Sequence, residues 1–250
     1  MAKTTDSVAL NQWYAIATAS DVTAAPQTTR LLGQDLTYRR TDHDAFEVME
    51  NGAACPVRER YDCLWTTLGV PGREIFDIPE ALEPDRRTVV CGWVKLRASG
   101  LRIVENFLDM AHFPFIHTGI LGAEPHTEVP RYDTEIRRDV DEVWATNCTF
   151  FQSRIAATES SGDYAQLTFR VPSPFVVMLY RVCPSASDRL DAIALFIQPI
   201  EEGLCRAQPV MYLVDGVSPH SALLNFEQVI FFQDKIIVEN QRPLLLPLEP

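Results

Sequence analysis

Val104-Glu105-Asn106-Phe107-Leu108-Asp109-Met110-Ala111-His112-Phe113-Pro114-Phe115-Ile116-His117 is the stretch on which the reading of this chain turns. From residue 101 to residue 113 the apolar positions 103, 104, 107, 108, 110 and 111 fit a helical period better than the two-residue period of a strand. A helix is therefore expected there, ended or kinked by Pro114, which has no N–H to donate and whose ring crowds the preceding turn. On that helix Asn106, Asp109 and His112 step by three and share one stripe, bringing an amide, a carboxylate and an imidazole together. His117 would point about 140° away from His112 on an unbroken helix. The break at Pro114 lets it swing back, so that two imidazoles can face one metal.

Outward from this stretch the chain is rich in β signals. Residues 31–40, 45–50 and 63–68 carry β-formers and are punctuated by Asp42, Asn51-Gly52 and Pro71-Gly72, which reads as a few short antiparallel strands. Another strand is expected over 88–97. After the helix, the polar stretch 119–130 reads as a loop placed to cover a site. Six further β-rich runs follow near 131–138, 142–150, 163–171, 175–183, 190–200 and 204–214, with turns such as Ser160-Ser161-Gly162-Asp163 between them. In 219–241 Leu223, Phe226, Ile230 and Ile237 recur at i, i+3, i+7 and i+14, one face of a long helix that Arg242-Pro243 stops. The expected fold class is α+β, a large antiparallel sheet packed on a long C-terminal helix.

A hydrophobic content of 46% over 250 residues is enough for one large core. A net charge of −12 argues against nucleic acid, since phosphate contacts need a basic surface. A small molecule or a protein partner fits better. The first ten residues hold no apolar run long enough for a secretory signal, and no later run reaches a membrane span, so a cytoplasmic protein is expected, with no membrane contact. The six cysteines lack paired spacing and read as buried, reduced residues.

The chemistry points to a metal. Iron(II) oxygenases hold the metal with two imidazoles and one carboxylate on a single face and leave the other positions free. With His112 and His117 as the imidazoles, Asp234 is the best third ligand. It follows Ile230 by four and precedes Ile237 by three, so it borders the apolar stripe of the last helix, where a carboxylate needs a cation to meet. The plainer alternatives are hydrogen-bonded core histidines, a buried ion pair of Asp234 with Arg102 or Arg242, and helix-capping roles for Asn106 and Asp109. Phe113, Phe115, Phe175, Met178, Tyr180, Phe196 and Met211 are candidates for the pocket lining.

The stretch 104–117 resembles the iron-binding helix of the Rieske-type aromatic-ring-hydroxylating and demethylating oxygenases, whose pattern Asn-x₂-Asp-x₂-His-x₄-His is matched at each fixed position. Phe231-Phe-Gln-Asp234 through Gln241-Arg-Pro243 resembles the later helix that carries the carboxylate ligand. Leu31-Leu-Gly-Gln-Asp-Leu36 and Cys55-Pro-Val-Arg-Glu-Arg-Tyr61 resemble strands of the family's N-terminal domain. The resemblance implies a helix-grip-like catalytic domain over 73–250, with 1–72 as a reduced remnant of the Rieske domain. It implies mononuclear Fe(II) on His112, His117 and Asp234, with O₂ as co-substrate. Asp109 matches the aspartate that bridges electrons between subunits, and Asn106 lies near the iron. The family's Cys-x-His and Cys-x₂-His ligands for a [2Fe–2S] cluster are missing, because no cysteine here is followed by histidine at either spacing. Electrons must then come from a Rieske-containing reductase or a companion Rieske subunit, with NAD(P)H used indirectly. Leu82-Glu-Pro-Asp-Arg-Arg87, Val129-Pro-Arg-Tyr132 and Val171-Pro-Ser-Pro174 resemble the methylxanthine N-demethylase subunit that lacks its own cluster. Oxidative removal of an N- or O-linked methyl group from a small heterocycle or aromatic, by a trimer-like oligomer, is the implied activity. The family's basic continuation past Pro243 is absent, which reads as a shortened C-terminus. Two other classes stay open at this point: a non-catalytic subunit or small-ligand binder that retains the fold, and a zinc hydrolase using the same three ligands.

Overall fold

The computed structural model describes residues 4–154, 162–184 and 186–247. The chain opens with a short helix α1 (Ser7–Leu10) and seven short strands: β1 (Tyr14–Thr18), β2 (Gln27–Leu31), β3 (Gln34–Arg40), β4 (Phe46–Glu50), β5 (Ala53–Ala54), β6 (Val57–Arg60) and β7 (Cys63–Thr66). They form two small antiparallel sheets, β1-β7-β6 and β2-β3-β4-β5. The hairpins turn on two-residue loops whose residues all have positive φ: Leu32-Gly33, Asn51-Gly52 and Tyr61-Asp62. Such turns match the twist of the strands they join. The expected strand over 31–40 is thus split by Leu32-Gly33, and residues Gln27–Leu31, whose polar side chains hid the signal, form its partner strand.

The larger sheet runs in the order β10-β11-β12-β13-β14-β15-β8, with β9 also pairing to β15. Its strands are β8 (Arg87–Val90), β9 (Val94–Leu96), β10 (Asp133–Arg137), β11 (Glu142–Gln152), β12 (Asp163–Ser173), β13 (Val176–Cys183), β14 (Ala186–Glu201) and β15 (Leu204–Leu213). All pairings are antiparallel. This is the sheet expected from the six β-rich runs. The strand expected over 88–97 is two, because Gly92 at φ 84° breaks it. Of the turn expected at Ser160-Ser161-Gly162-Asp163, the first two residues lie outside the described residues and Asp163 begins β12. Helices α2 (Gly100–Leu108), α3 (Phe113–Ile116) and α4 (His220–Asn240) complete the fold.

The sheet is covered on both faces, which explains why Ala192 through Ile197 are all buried instead of alternating. One set of side chains, including Met178, Tyr180, Phe196 and Tyr212, packs against Trp13, Tyr61 and Trp65 of the N-terminal strands. The rings of Trp65 and Phe196 meet edge to face at 5.1 Å. The alternate set, Val177, Leu195, Ile197 and Ala207, packs against the helices through Ile103, Phe231 and Val238. Gly100 lets α2 start hard against the sheet, because a Cβ there would lie 2.7 Å from the Phe175 ring. The buried side of α4 is Leu223, Glu227, Phe231 and Val238. It is rotated from the expected stripe, for Ile237 is exposed and Phe226 and Ile230 are only half-buried. All six cysteines are free, as expected, and five are buried.

A buried ion pair fastens β11 and β12 to the segment that carries Asp77. Arg170 donates to both carboxylate oxygens of Glu142 (2.8 and 2.5 Å), to the Asp77 carbonyl (2.7 Å) and to the Tyr180 hydroxyl (3.2 Å). Removing one partner strands the other charge in a dry site. Glu142→Ala is therefore expected to lower the unfolding free energy by about 3–5 kcal/mol in a urea titration. The double replacement Glu142→Leu with Arg170→Met should recover most of that loss, and additive losses would show that the two do not act as a pair.

Candidate metal centre

Helix α2 begins at Ser99, whose hydroxyl accepts from the Arg102 amide, and stops at Leu108, with Asp109 as its extended C-terminal cap. The helix expected to run to residue 113 is thus shorter, and Asn106, Asp109 and His112 do not lie on one helical stripe. The Asp109 carboxylate accepts from the Ala111 N–H at 2.8 Å and turns the chain. That turn leads into α3, whose flanking residues are His112 and His117. Pro114 stands in the first turn of α3 instead of ending a helix, a position where its missing N–H leaves no bond unmade. The two imidazoles therefore project from the two ends of a four-residue helix.

Asp234 reaches them from α4. Its Oδ1 lies 3.3 Å from His112 Nε2 and 2.9 Å from His117 Nε2, and the two nitrogens are 3.1 Å apart. Two ligands about 2.1 Å from a metal and at right angles around it are about 3.0 Å apart, so this triangle has the size of one face of a metal's coordination shell. Among the described residues these are the histidine, cysteine and carboxylate side chains grouped closely enough to hold a metal ion. The other edge of the His117 ring is held by Gln233, whose Oε1 is 2.8 Å from Nδ1. His112 Nδ1 faces Asp109 at 3.5 Å, short of a full hydrogen bond, and has no other partner among the described residues. The Asn106 amide donates to Asp234 Oδ1 at 3.4 Å. Neither arginine proposed as an ion-pair partner for Asp234 meets it: Arg102 binds Glu105 and the Pro243 carbonyl, and Arg242 binds backbone carbonyls.

The site sits at the wall of a cavity of about 70 Å³ between α4, α3 and the helix-facing side of the sheet. Phe113 and Met211 line it as expected, with Phe107, Leu121, Phe169 and Phe226. Leu121 comes from the loop 119–130, so that loop does cover the site; Gly122 allows its approach, since a Cβ there would touch the Pro114 backbone at 2.7 Å. Phe115 is instead 59% exposed. Met178, Tyr180 and Phe196 point to the N-terminal strands, and Phe175 packs against Gly100, so none of these four lines the cavity. The polar wall residues Gln152, Arg181 and Glu227, like Gln233, carried no spacing signal in the sequence. A larger cleft of about 1350 Å³, lined by Trp13, Trp144 and Arg170, lies on the other side of the sheet and holds no part of the triad.

Burial opposes charge on His112, but Asp109 and Asp234 outweigh it and push the imidazole up to about 9. Burial likewise opposes the Asp234 carboxylate, and the two histidines more than compensate, holding it below its ordinary value. Burial pushes the Glu227 carboxyl up to about 7, with Arg181 pulling it back and Asp234 adding to the rise.

The match to known proteins follows these features. A family model described as the vanillate O-demethylase oxygenase C-terminal domain fits residues 96–250. The chain belongs to the Rieske-type demethylating oxygenases, a family of oxidoreductases. Within it, the chain is 40% identical over 247 residues to a probable methylxanthine N7-demethylase, NdmC, of Pseudomonas sp. (strain TJI-51), covering 98% of this chain and 88% of that one. It is 23% identical over 197 residues to the methylxanthine N3-demethylase NdmB of Pseudomonas putida, covering 74% of this chain and 51% of that one. The fold matches the solved NdmB of Pseudomonas putida CBB5 with a TM-score of 0.79 at 16% identity, over 98% of this chain and 86% of that one. It also matches dicamba monooxygenase with a TM-score of 0.75 at 14% identity, over 97% of this chain and 92% of that one. Among the described residues no helix is long and apolar enough to cross a membrane.

The titrations carry a stability signature for the metal-free chain. A raised His112 stabilises the fold fully below its ordinary value of 6.5 and loses that contribution as pH rises through about 9. A depressed Asp234 contributes above its ordinary 3.8 and loses it on acidification. Melting temperatures of chelator-treated protein should thus decline from neutral pH to beyond 9, and His112→Asn should flatten that limb. A wild-type profile already flat there would contradict the assignment.

Proposed function

We propose that this chain is the oxygen-activating subunit of a Rieske-type monooxygenase that removes a methyl group from a small methylated heterocycle of the methylxanthine kind. The observation that carries the proposal is the triangle of His112 Nε2, His117 Nε2 and Asp234 Oδ1, with edges of 2.9–3.3 Å, at the wall of a mostly apolar cavity. Two imidazoles and one carboxylate suit mononuclear Fe(II) and leave open positions. When bound, the iron supplies reductive activation of O₂ and hydroxylation of the methyl carbon.

The side chains prepare that chemistry. Gln233 fixes the orientation of His117, and Asn106 holds Asp234 from the side. Asp109 is half exposed and faces His112, which gives a polar path from the surface to the site. Phe113, Phe169 and Phe226 keep bulk water from the reacting carbon. Overall, an N-methyl group, O₂, two electrons and two protons yield the N–H product, formaldehyde and water, through loss of formaldehyde from the hydroxymethyl amine.

The electrons come in trans. Residues 1–72 act as the remnant of a Rieske domain and 73–250 as the catalytic unit, with no Cys-x-His pair for a cluster of its own. A Rieske-containing reductase or companion subunit, drawing on NAD(P)H, then completes the enzyme. Val229, Phe232 and Ile236 leave an apolar outer face on α4, which fits assembly into an oligomer.

Purified chain is expected to bind about one iron, with Asp234→Ala folded but iron-free. Formaldehyde from methylxanthines should appear only when the reductase carries a Rieske domain; equal yields without one would overturn delivery in trans, and folded wild-type protein that takes up no iron would overturn the metal site. Gln233→Leu should weaken iron binding by about 10–100-fold, measured by competition with a chelator.

A further inference from the structure

Gln152 ends β11, in line with Cys148 and Phe150 on the helix-facing side of the sheet, and it forms part of the wall of the cavity that holds the triad. It is 1% exposed, and its Oε1 has no hydrogen-bond partner among the described residues. On the same wall His112, His117 and Asp234 face one another, and Arg181 stands 3.8 Å from the carboxylate of Asp191. The apolar Phe113 and Leu121 belong to the same wall. Nearly all buried polar atoms in folded proteins are hydrogen-bonded, because an amide oxygen withdrawn from water without a donor destabilises the fold. An acceptor left open in a binding cavity is a place for a donor that arrives with the ligand.

We infer that Gln152 determines specificity: its Oε1 accepts a hydrogen bond from a ring N–H of the substrate. The site then takes methylated heterocycles that still carry an N–H and discriminates against fully N-methylated ones. The assignment rests on the demethylase proposal above. In a neutral xanthine N1, N3 and one of the two imidazole nitrogens each carry either a methyl group or a hydrogen. Complete methylation therefore removes every donor, and against an unfilled acceptor a missing donor costs binding more than a missing methylene does.

The test is calorimetric binding to the iron-loaded chain under anaerobic conditions. The ligands are the three dimethylxanthines, each with one ring N–H at a different position, and caffeine, with none. Wild type should bind at least one dimethylxanthine about 10–100-fold more tightly than caffeine. Gln152→Met should abolish that preference while raising the melting temperature, since the unfilled acceptor is gone. A purely structural role for Gln152 would lower the melting temperature and leave the preference intact, and either result would overturn the inference. Equal wild-type binding of all four ligands overturns the role of Gln152 alone, whereas no binding of any methylxanthine overturns the proposed substrate class as well.

Discussion

The structure depends on one convergence: Asp234 on α4 must reach two imidazoles that belong to a distant part of the chain. The hydrogen-bonded neighbours His117 and Gln233 are 116 residues apart in sequence. Only a rigid base can hold such groups within about 3 Å of one another. The base is the antiparallel sheet, on whose one face α2 and α4 lie side by side. A small rotation of α4 would carry Asp234 off the triangle, so Phe231 and Val238, which key α4 into the sheet, also position the carboxylate.

The N-terminal strands support this from the opposite face. Strand side chains alternate, so each residue of β13, β14 and β15 serves one layer or the other. Met178, Tyr180 and Phe196 anchor the N-terminal module, whereas Leu179, Ile193 and Met211 face the helices and the cavity. The aromatic contact of Trp65 with Phe196 ties the two small sheets to the sheet that carries the site. The N-terminal strands thus close one side of the core.

Electrostatics and space at the centre follow from the same packing. The two imidazoles, Asp234 and the carboxyl of Glu227 share a site from which water is largely withdrawn; the imidazoles more than offset the burial of Asp234, whereas Arg181 only partly offsets that of Glu227. The loop that contributes Leu121 is a wall segment without regular secondary structure.

Much of this was legible in the amino-acid order. Six β-rich runs marked the strands β10 to β15, and the helical period marked α4. The spacing of His112 and His117, the place of Asp234 beside an apolar stripe and the family resemblance together picked out three side chains that the fold brings to one point. The route from Asn106 to His117 was not legible, because a turn held by the Asp109 side chain and a four-residue helix with proline in its first turn leave no periodicity to read. Nor was the true buried side of α4, since Ile236 and Ile237 are as apolar as Phe231 yet face outward. Gln152 and Gln233 are ordinary polar residues in sequence and gain meaning only from what lies opposite them. The sequence by itself determined which elements form and which residue types could bind a metal, because those depend on local periodicity and side-chain chemistry. The tertiary structure alone decided which way each element is rotated and which distant atoms meet, because those depend on packing between segments far apart in the chain.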